Sequence, residues 1–324
     1  MKVLVVGGAG YIGSHVVLDL LQAGHAVTVF DNLSSGLEIN LFEDAHFVKG
    51  DIMFGPELDD TLAAGSFDAV VHLAALKAAG DSMVEPERYA EHNTTGTLRL
   101  INAVCKHGVG KFVFSSSAAV FGDPVCLPMD ESHPLVPTNF YGFTKLETER
   151  FLKWYSQLRN LRFVSLRYFN AAGYDVAGRV KGLEQNPKNL IPIVMEVACG
   201  TREKLTIFGD DYDTPDGTCI RDYIHVNDLA AAHTKALDYM AQTDSDLICN
   251  LGTGTGYSVL EVVKAAERIL GKSLNYNMGP RRAGDPAHLV AAAALAGEKL
   301  DWTARHSDLD TLLKTSWSAY HSNK

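Results

Sequence analysis

The chain has 324 residues, 46% of them apolar and 21% charged, with a formal net charge of −10. That size is enough for a well-buried core and suits one large domain plus a smaller one, while the acidic balance argues against nucleic acid or an anionic membrane as partner. Five scattered cysteines (Cys105, Cys126, Cys199, Cys219, Cys249) with no CxxC pair fit neither a disulfide framework nor a zinc site, so reduced thiols in a cytoplasm and no metal are expected.

In chain order, "KVLVV" (2–6) is a continuous β-branched run of the kind buried on both faces of a parallel sheet. Four glycines in "MKVLVVGGAGYIG" break up any signal-peptide core, and no apolar run approaches the ~20 residues of a membrane span. Ile12, Val16 and Leu20, with Val17 and Leu21, recur at helical spacing before Gly24. "AVTVF" (26–30) is the next strand and ends at Asp31; further strands are predicted at 46–50, 68–74, 111–117 and 162–169. Helices separate most of them, notably 87–107 and 141–159. Such alternation predicts an α/β fold, a Rossmann-type doubly wound parallel sheet. After Asn170 the pattern loosens into Gly-, Pro-, Asp- and Asn-rich stretches, and "IHVNDLAAAHTKAL" and "LICNLGTG" then return to the main sheet. The expected division is a dinucleotide-binding domain over 1–170, rejoined by 226–250, and a smaller discontinuous C-terminal substrate domain of 171–225 and 251–324.

Gly7, Gly10 and Gly13 form GxxGxxG at the first strand-to-helix junction. Glycine lets the backbone turn tightly and approach a pyrophosphate, which then rests on the N–H groups of the helix start. Asp31 ends the second strand, where a carboxylate suits an adenosine ribose 2′-OH and repels a 2′-phosphate; no arginine follows, so NAD is favoured over NADP. A tight turn with an acidic cap is the plainer alternative. Asp51 in "KGDIM" could reach the adenine edge or simply turn the chain. Leu73, Ala74 and Ala75 end the fourth strand with small residues where the backbone would pass the cofactor, and His72 reads as packed rather than ligating. Tyr141 and Lys145 in "YGFTK" lie one turn apart on one helix face. They are either a solvated contact or a device for making phenolate. With an ordinary pKa near ~10, only about one tyrosine in a thousand is ionised at neutral pH, and closing that gap takes roughly 4 kcal/mol.

With "GGAGYIGSHVVLDLL", "FVFSSSAAVFGD", "YGFTKLETE", "LRYFNAAG", "IFGDDYDTPDGTCIRDYIHVNDLA" and "RRAGDPA" in this order, the chain resembles, almost end to end, the UDP-hexose 4-epimerase branch of the extended short-chain dehydrogenase/reductases. The resemblance implies an NAD-dependent isomerase of galactose metabolism that interconverts UDP-galactose and UDP-glucose. It makes Tyr141 the acid/base, places Lys145 on the nicotinamide ribose and Ser117 on the sugar hydroxyl. Lys145, the nicotinamide charge and the helix start then become three sources of phenolate stabilisation. By the same resemblance Tyr11, Ile12, Asn32, Leu33, Ser34, Ser35, Gly36, Ile52, Lys77, Asn93, Ser115, Tyr168 and Phe169 hold the cofactor. Lys77, Ala118, Asn170, Asn189, Leu190, Thr206, Ile207, Phe208, Arg221, Arg282, Asp285 and Leu289 face the sugar nucleotide. A homodimer through a four-helix bundle of the 87–107 and 141–159 helices is implied as well.

The chain departs from that pattern at Val6 (often threonine), at Phe121 (often tyrosine), at Leu289, which leaves N-acetylated and pentose sugars open, and in the alanine-rich "AAAALAG", which gains no functional account. A dehydratase on the same scaffold would need an acid pair after the serine, but Ser117 is followed by Ala118 and Ala119. A reductase that releases its cofactor and a non-catalytic NAD-binding regulator are the remaining rivals.

Overall fold

The computed structural model describes residues 1–282 and 285–322, so the Ala283–Gly284 step of "RRAGDP" lies outside the described residues. Six early strands, β1 (Lys2–Val6), β2 (Ala26–Asp31), β3 (His46–Lys49), β4 (Ala69–His72), β5 (Lys111–Ser115) and β6 (Arg162–Tyr168), build the main sheet. Four short ones follow: β7 (Asn170–Ala172), β8 (Leu205–Phe208), β9 (Ile220–Arg221) and β10 (Tyr223–His225). Then β11 (Leu247–Leu251) rejoins the sheet, whose order is β11-β6-β5-β4-β1-β2-β3, every pairing parallel. The doubly wound α/β reading therefore holds. Alternate β1 side chains feed opposite layers: Val3 and Val5 pack with Val16, Val17 and Leu20, while Leu4 and Val6 pack with Phe112 and Phe114.

A separate buried cluster joins Tyr174, Val194, Ile207, Val262 and Leu312. Its framework is β9 between β12 (Tyr257–Ser258) and β14 (His288–Leu289), and β8 paired with β13 (Tyr276–Gly279). The helix Val259–Leu270 that follows is started by a capping box, in which Ser258 and Glu261 satisfy each other's backbone N–H groups. Late residues are not confined to this cluster, since Ala296, Leu300 and Trp302 pack into the main-sheet layer of Val3 and Val5. The 87–107 helix of the sequence reading is a composite rod of Pro86–Tyr89, a π-helical Ala90–Gly96 and Thr97–Lys106. Within the π stretch Asn93 is buried, accepting from Leu76 N (2.8 Å) and donating to Leu76 O (2.9 Å). A side chain bonded to the loop after β4 thus accompanies the widened turn.

His15, His72, His225 and His233 are sealed into this frame. His15 donates from Nδ1 to Tyr11 O (2.8 Å) and accepts at Nε2 from Asp175 N (2.9 Å), so it is neutral. His233 contacts Leu229 O and Ser115 Oγ, His72 contacts Thr97 Oγ1, and His225 accepts from Asn227 N. Burial lowers His15 and His233 to about 4 and His72 and His225 to about 3. The unfolded chain would take protons at these rings near ~6.5, and the folded one resists until far lower. The unfolded state therefore binds more protons in that window, and stability falls as pH drops from about 6.5 toward about 4. The unfolding free energy from urea titration should fall between about pH 7 and about pH 5 by roughly 1–2 kcal/mol per histidine, lowering the midpoint with it. An unchanged midpoint would show that these rings are not held neutral.

Candidate active site

At the sheet's C-terminal edge, β1 has β2 on one side and β4 on the other, the switch point where doubly wound sheets open a crevice. A cavity of about 370 Å³ lies there. Among the sequence-predicted residues its walls include Gly7, Gly10, Tyr11, Ile12, Gly13, Asp31, Asn32, Ser34, Ser35, Asp51, Ile52, Leu73, Ala74, Ala75, Lys77 and Tyr168. Gly7 sits at φ +87, and a Cβ on it would meet Ala74 N at 2.6 Å; one on Gly13 would meet Gly7 O at 2.1 Å. Both contacts are with backbone, so the loop lies against its neighbours only without side chains there. Asp31 accepts from Ala9 N (2.9 Å) and Leu33 N (2.8 Å), which locks the loop to β2, and burial raises its carboxyl pKa. Asp51 accepts from Asn32 Nδ2 (2.8 Å) and Met53 N (2.8 Å). Leu33 and Gly36 serve this corner through Asp31 rather than lining the cavity.

The helix Phe140–Leu158 is opened by Asn139, whose side chain accepts from Gly142 N (2.8 Å); neither its Tyr141 and Lys145 nor Ser117 is among the cavity's walls. The Ser117 side chain stands near enough to Tyr141 to favour its phenolate, and Ser115 does the same for Tyr168. Lys145 is only 5% exposed and donates to Ser115 O (2.8 Å), with its ammonium 4.8 Å from the Phe114 ring and 5.8 Å from the Tyr141 ring. Burial lowers Lys145 to about 7, against the raising influence of Glu149. Burial also pushes Tyr141 up to about 12, partly offset by the Ser117 side chain. In the protein alone desolvation of the phenol outweighs what its neighbours supply, and the Lys145 ammonium is directed at a carbonyl. One turn beyond Lys145, Glu149 (1% exposed) takes a two-pronged contact from Arg167 (2.9 and 2.6 Å) and a hydrogen bond from Ser116 Oγ (2.6 Å).

The remaining predicted residues fall into two groups. Ala118, Phe169 and Leu289 meet against Val120, Phe121, Met129 and Leu146, beside the serine segment. Arg221 on β9 is paired with Asp285 and stands in register with Leu289 on β14. Arg282 lies 3.9 Å over the Phe208 ring at the end of β8, which also carries Thr206 and Ile207. Asn170 donates from Nδ2 to Asp222 O (3.1 Å). Asn189 takes the N-cap position of Leu190–Cys199 without a side-chain cap, so its amide makes no bond to that helix. Lys77 reaches Glu184 (2.5 Å), and Lys188 reaches Asp81 (2.6 Å), so two ion pairs tie the loop after β4 to the stretch before Leu190. Asn93 and Ser115 are buried struts rather than cavity walls. Sequence reasoning missed Asp81, Arg88, Tyr89 and His92 in the walls. The only signal was the predicted helix starting at 87, with no cue that its first turns overhang the crevice.

Comparison with known proteins follows this geometry. Residues 3–252 match the model of the NAD dependent epimerase/dehydratase family. The chain is 45% identical to a UDP-glucose 4-epimerase of Halalkalibacterium halodurans, over 98% of this chain and 95% of that protein. It superposes with TM-score 0.96 and 43% identity on the crystal structure of UDP-glucose 4-epimerase from Brucella ovis in complex with NAD, covering 98% of each chain. The structure of the Bifidobacterium longum enzyme with NAD+ and UDP matches with TM-score 0.94 and 38% identity, over 100% of this chain and 99% of that one.

The Gly13 contact yields a direct test. In Gly13→Ala the added methyl has no room against Gly7 O, so the loop must shift at a cost of about 1–3 kcal/mol. Nucleotide co-purifying with the protein, released by acid and quantified by absorbance, should fall well below one equivalent. Full occupancy in that variant would remove the loop from nucleotide binding.

Proposed function

Because the chain belongs to the NAD dependent epimerase/dehydratase family, we propose that it interconverts UDP-galactose and UDP-glucose by inverting C4 of the hexose. The observation that carries this reading is the junction of two half-sites. The glycine-loop cavity is one, walled by Tyr168 at the end of β6; Ser117, Tyr141 and Lys145 lie outside its walls on the neighbouring serine segment and helix, and Ala118 and Leu289 bring the β9–β14 strands against that same segment. Relatives and solved neighbours named UDP-glucose 4-epimerase over nearly the full chain support it.

NAD fits the cleft on the chain's own terms: Gly7 and Gly13 let the loop fold tightly onto its own backbone at the cavity wall, and Asp31 keeps free lone pairs at the end of β2. Gly7, Gly10 and Gly13 would flank its phosphates, Asp31 its adenosine ribose, and Lys145 with Tyr168 its nicotinamide end. When bound, NAD would supply the two-electron acceptor for the C4 hydrogen and a positive charge in addition to that of Lys145. Tyr141 removes the proton of the sugar 4-hydroxyl and later returns one, and Ser117 holds that hydroxyl in line. Arg221 and Arg282 grip the diphosphate through paired N–H donors, while Thr206, Ile207 and Phe208 pass the uracil. Gripping the nucleotide and leaving the hexose loosely held allows the ring to present its other face without escaping. The Ala118–Ala119 pair keeps acids away from C5 and C6, which disfavours dehydration.

Tyr141→Phe should lower epimerisation by about 10²–10⁴-fold while bound NAD stays in place. Mixing the protein with UDP-galactose and no added cofactor, then separating the products, checks both claims; a Phe variant of undiminished rate takes Tyr141 out of the reaction.

A homodimer in the cytoplasm accompanies this reading. Phe143, Trp154 and Leu158 stand on one outward face of the Phe140–Leu158 helix, with Trp154 61% and Leu158 63% exposed. Two such faces, with the Thr97–Lys106 rods, would form a four-helix seam. Sedimentation should show a dimer that Trp154→Glu with Leu158→Glu converts to monomer; a monomeric parent protein rules out the seam.

A further inference from the structure

Asp222 is fully buried and has no ion-pair partner among the described residues. Its carboxylate instead accepts from Thr253 N (3.1 Å to each oxygen), Thr253 Oγ1 (2.8 Å) and Ala291 N (3.3 Å). Its own backbone is equally committed. The Asp222 carbonyl accepts from Asn170 N and from Asn170 Nδ2 (both 3.1 Å), and its N–H donates to Leu289 O (3.0 Å). Arg221 precedes it on β9, opposite Leu289, and Tyr223 follows on β10, opposite Asn170. One residue thus joins three candidate sugar-nucleotide contacts to the turn after β11.

The packing around that carboxylate has no slack. A Cβ on Gly252 would lie 2.5 Å from Ala291 Cβ and 2.9 Å from Asp222 Oδ2. The glycine-threonine turn "NLGTGTG" and the first alanine of "AAAALAG" therefore acquire a common purpose, a cradle for one side chain. Keeping an anion there without a counter-charge costs free energy: burial raises its pKa to about 6, partly offset by the hydrogen bonds from Thr253 and Ala291. Only an ionised carboxylate is acceptor at every lone pair, and every neighbour here is a donor.

We propose that Asp222 is a positioning residue that sets Arg221, Asn170 and Leu289 in register for the sugar nucleotide, acting from the side of these strands that the substrate does not touch. The inference rests on the sugar-nucleotide reading of Arg221 given above. It concerns grip rather than chemistry, so its loss falls on binding. Asp222→Asn keeps the shape but turns a donor toward donors. We expect the Kd for UDP and the KM for UDP-galactose to rise about tenfold, with kcat within about threefold and bound NAD unchanged. Thr253→Ala, which removes one hydroxyl donor only, should raise both constants about two- to fivefold and decides the matter if Asp222→Asn does not fold. In Arg221→Ala the added Asp222→Asn change should cost clearly less than it does alone, because one of the three contacts it sets is already gone. A fall in kcat with Kd and KM unmoved, or losses that multiply in the double variant, overturns the proposal. If Arg221→Ala leaves UDP affinity intact by calorimetry, it is the reading of Arg221 that fails, whatever Asp222 does.

Discussion

The arrangement depends on one buried contact, the Lys145 ammonium donating to the Ser115 carbonyl at 2.8 Å. It fastens the helix bearing Tyr141 to the strand end that carries Ser115, Ser116 and Ser117, so that phenol and serine hydroxyl meet. An ammonium so enclosed would sooner lose its proton than its partner, and Glu149 on the next turn opposes that loss. Glu149 is in turn held by Arg167 on the neighbouring strand and by Ser116. Removing one member of such a buried pair costs more than the pair contributes, because the survivor is left uncompensated. Tyr141 and Ser117 are thus carried by elements that buried charges hold together.

The two parts of the fold offer two kinds of surface. The main sheet offers a rigid, glycine-lined channel in which backbone approaches backbone. The smaller strands offer arginines and aromatic rings, with Arg282 over Phe208 and Arg281 over Tyr212. The first suits a group that stays, the second a group that must be caught and let go.

Much of this was legible in the sequence wherever the physics is local. Gly7, Gly10, Gly13 and Asp31 are read within one strand–turn–helix–strand unit, and the Tyr141–Lys145 spacing is a property of any helix. How Lys145 acts on Tyr141 depends on burial and on where its ammonium points, which spacing does not encode. Arg88 and His92 escaped notice because a composite rod with a π stretch redirects its first turns. Glu184 escaped because its partner, Lys77, lies 107 positions away. Asp222 looked like the residue next to an arginine, and only the fold reveals that its bonds go to positions 170, 253, 289 and 291.

One contact made by the glycine turn reaches across the molecule. The Tyr11 hydroxyl donates to Gly173 O, 162 positions later, and its ring leans on Tyr174. On a ribosome adding about 5–20 residues per second, that partner is synthesised roughly 8–30 s after Tyr11 itself. The nascent N-terminal third can therefore assemble its strands early, yet the pocket's most distinctive corner waits for the middle of the message to be translated.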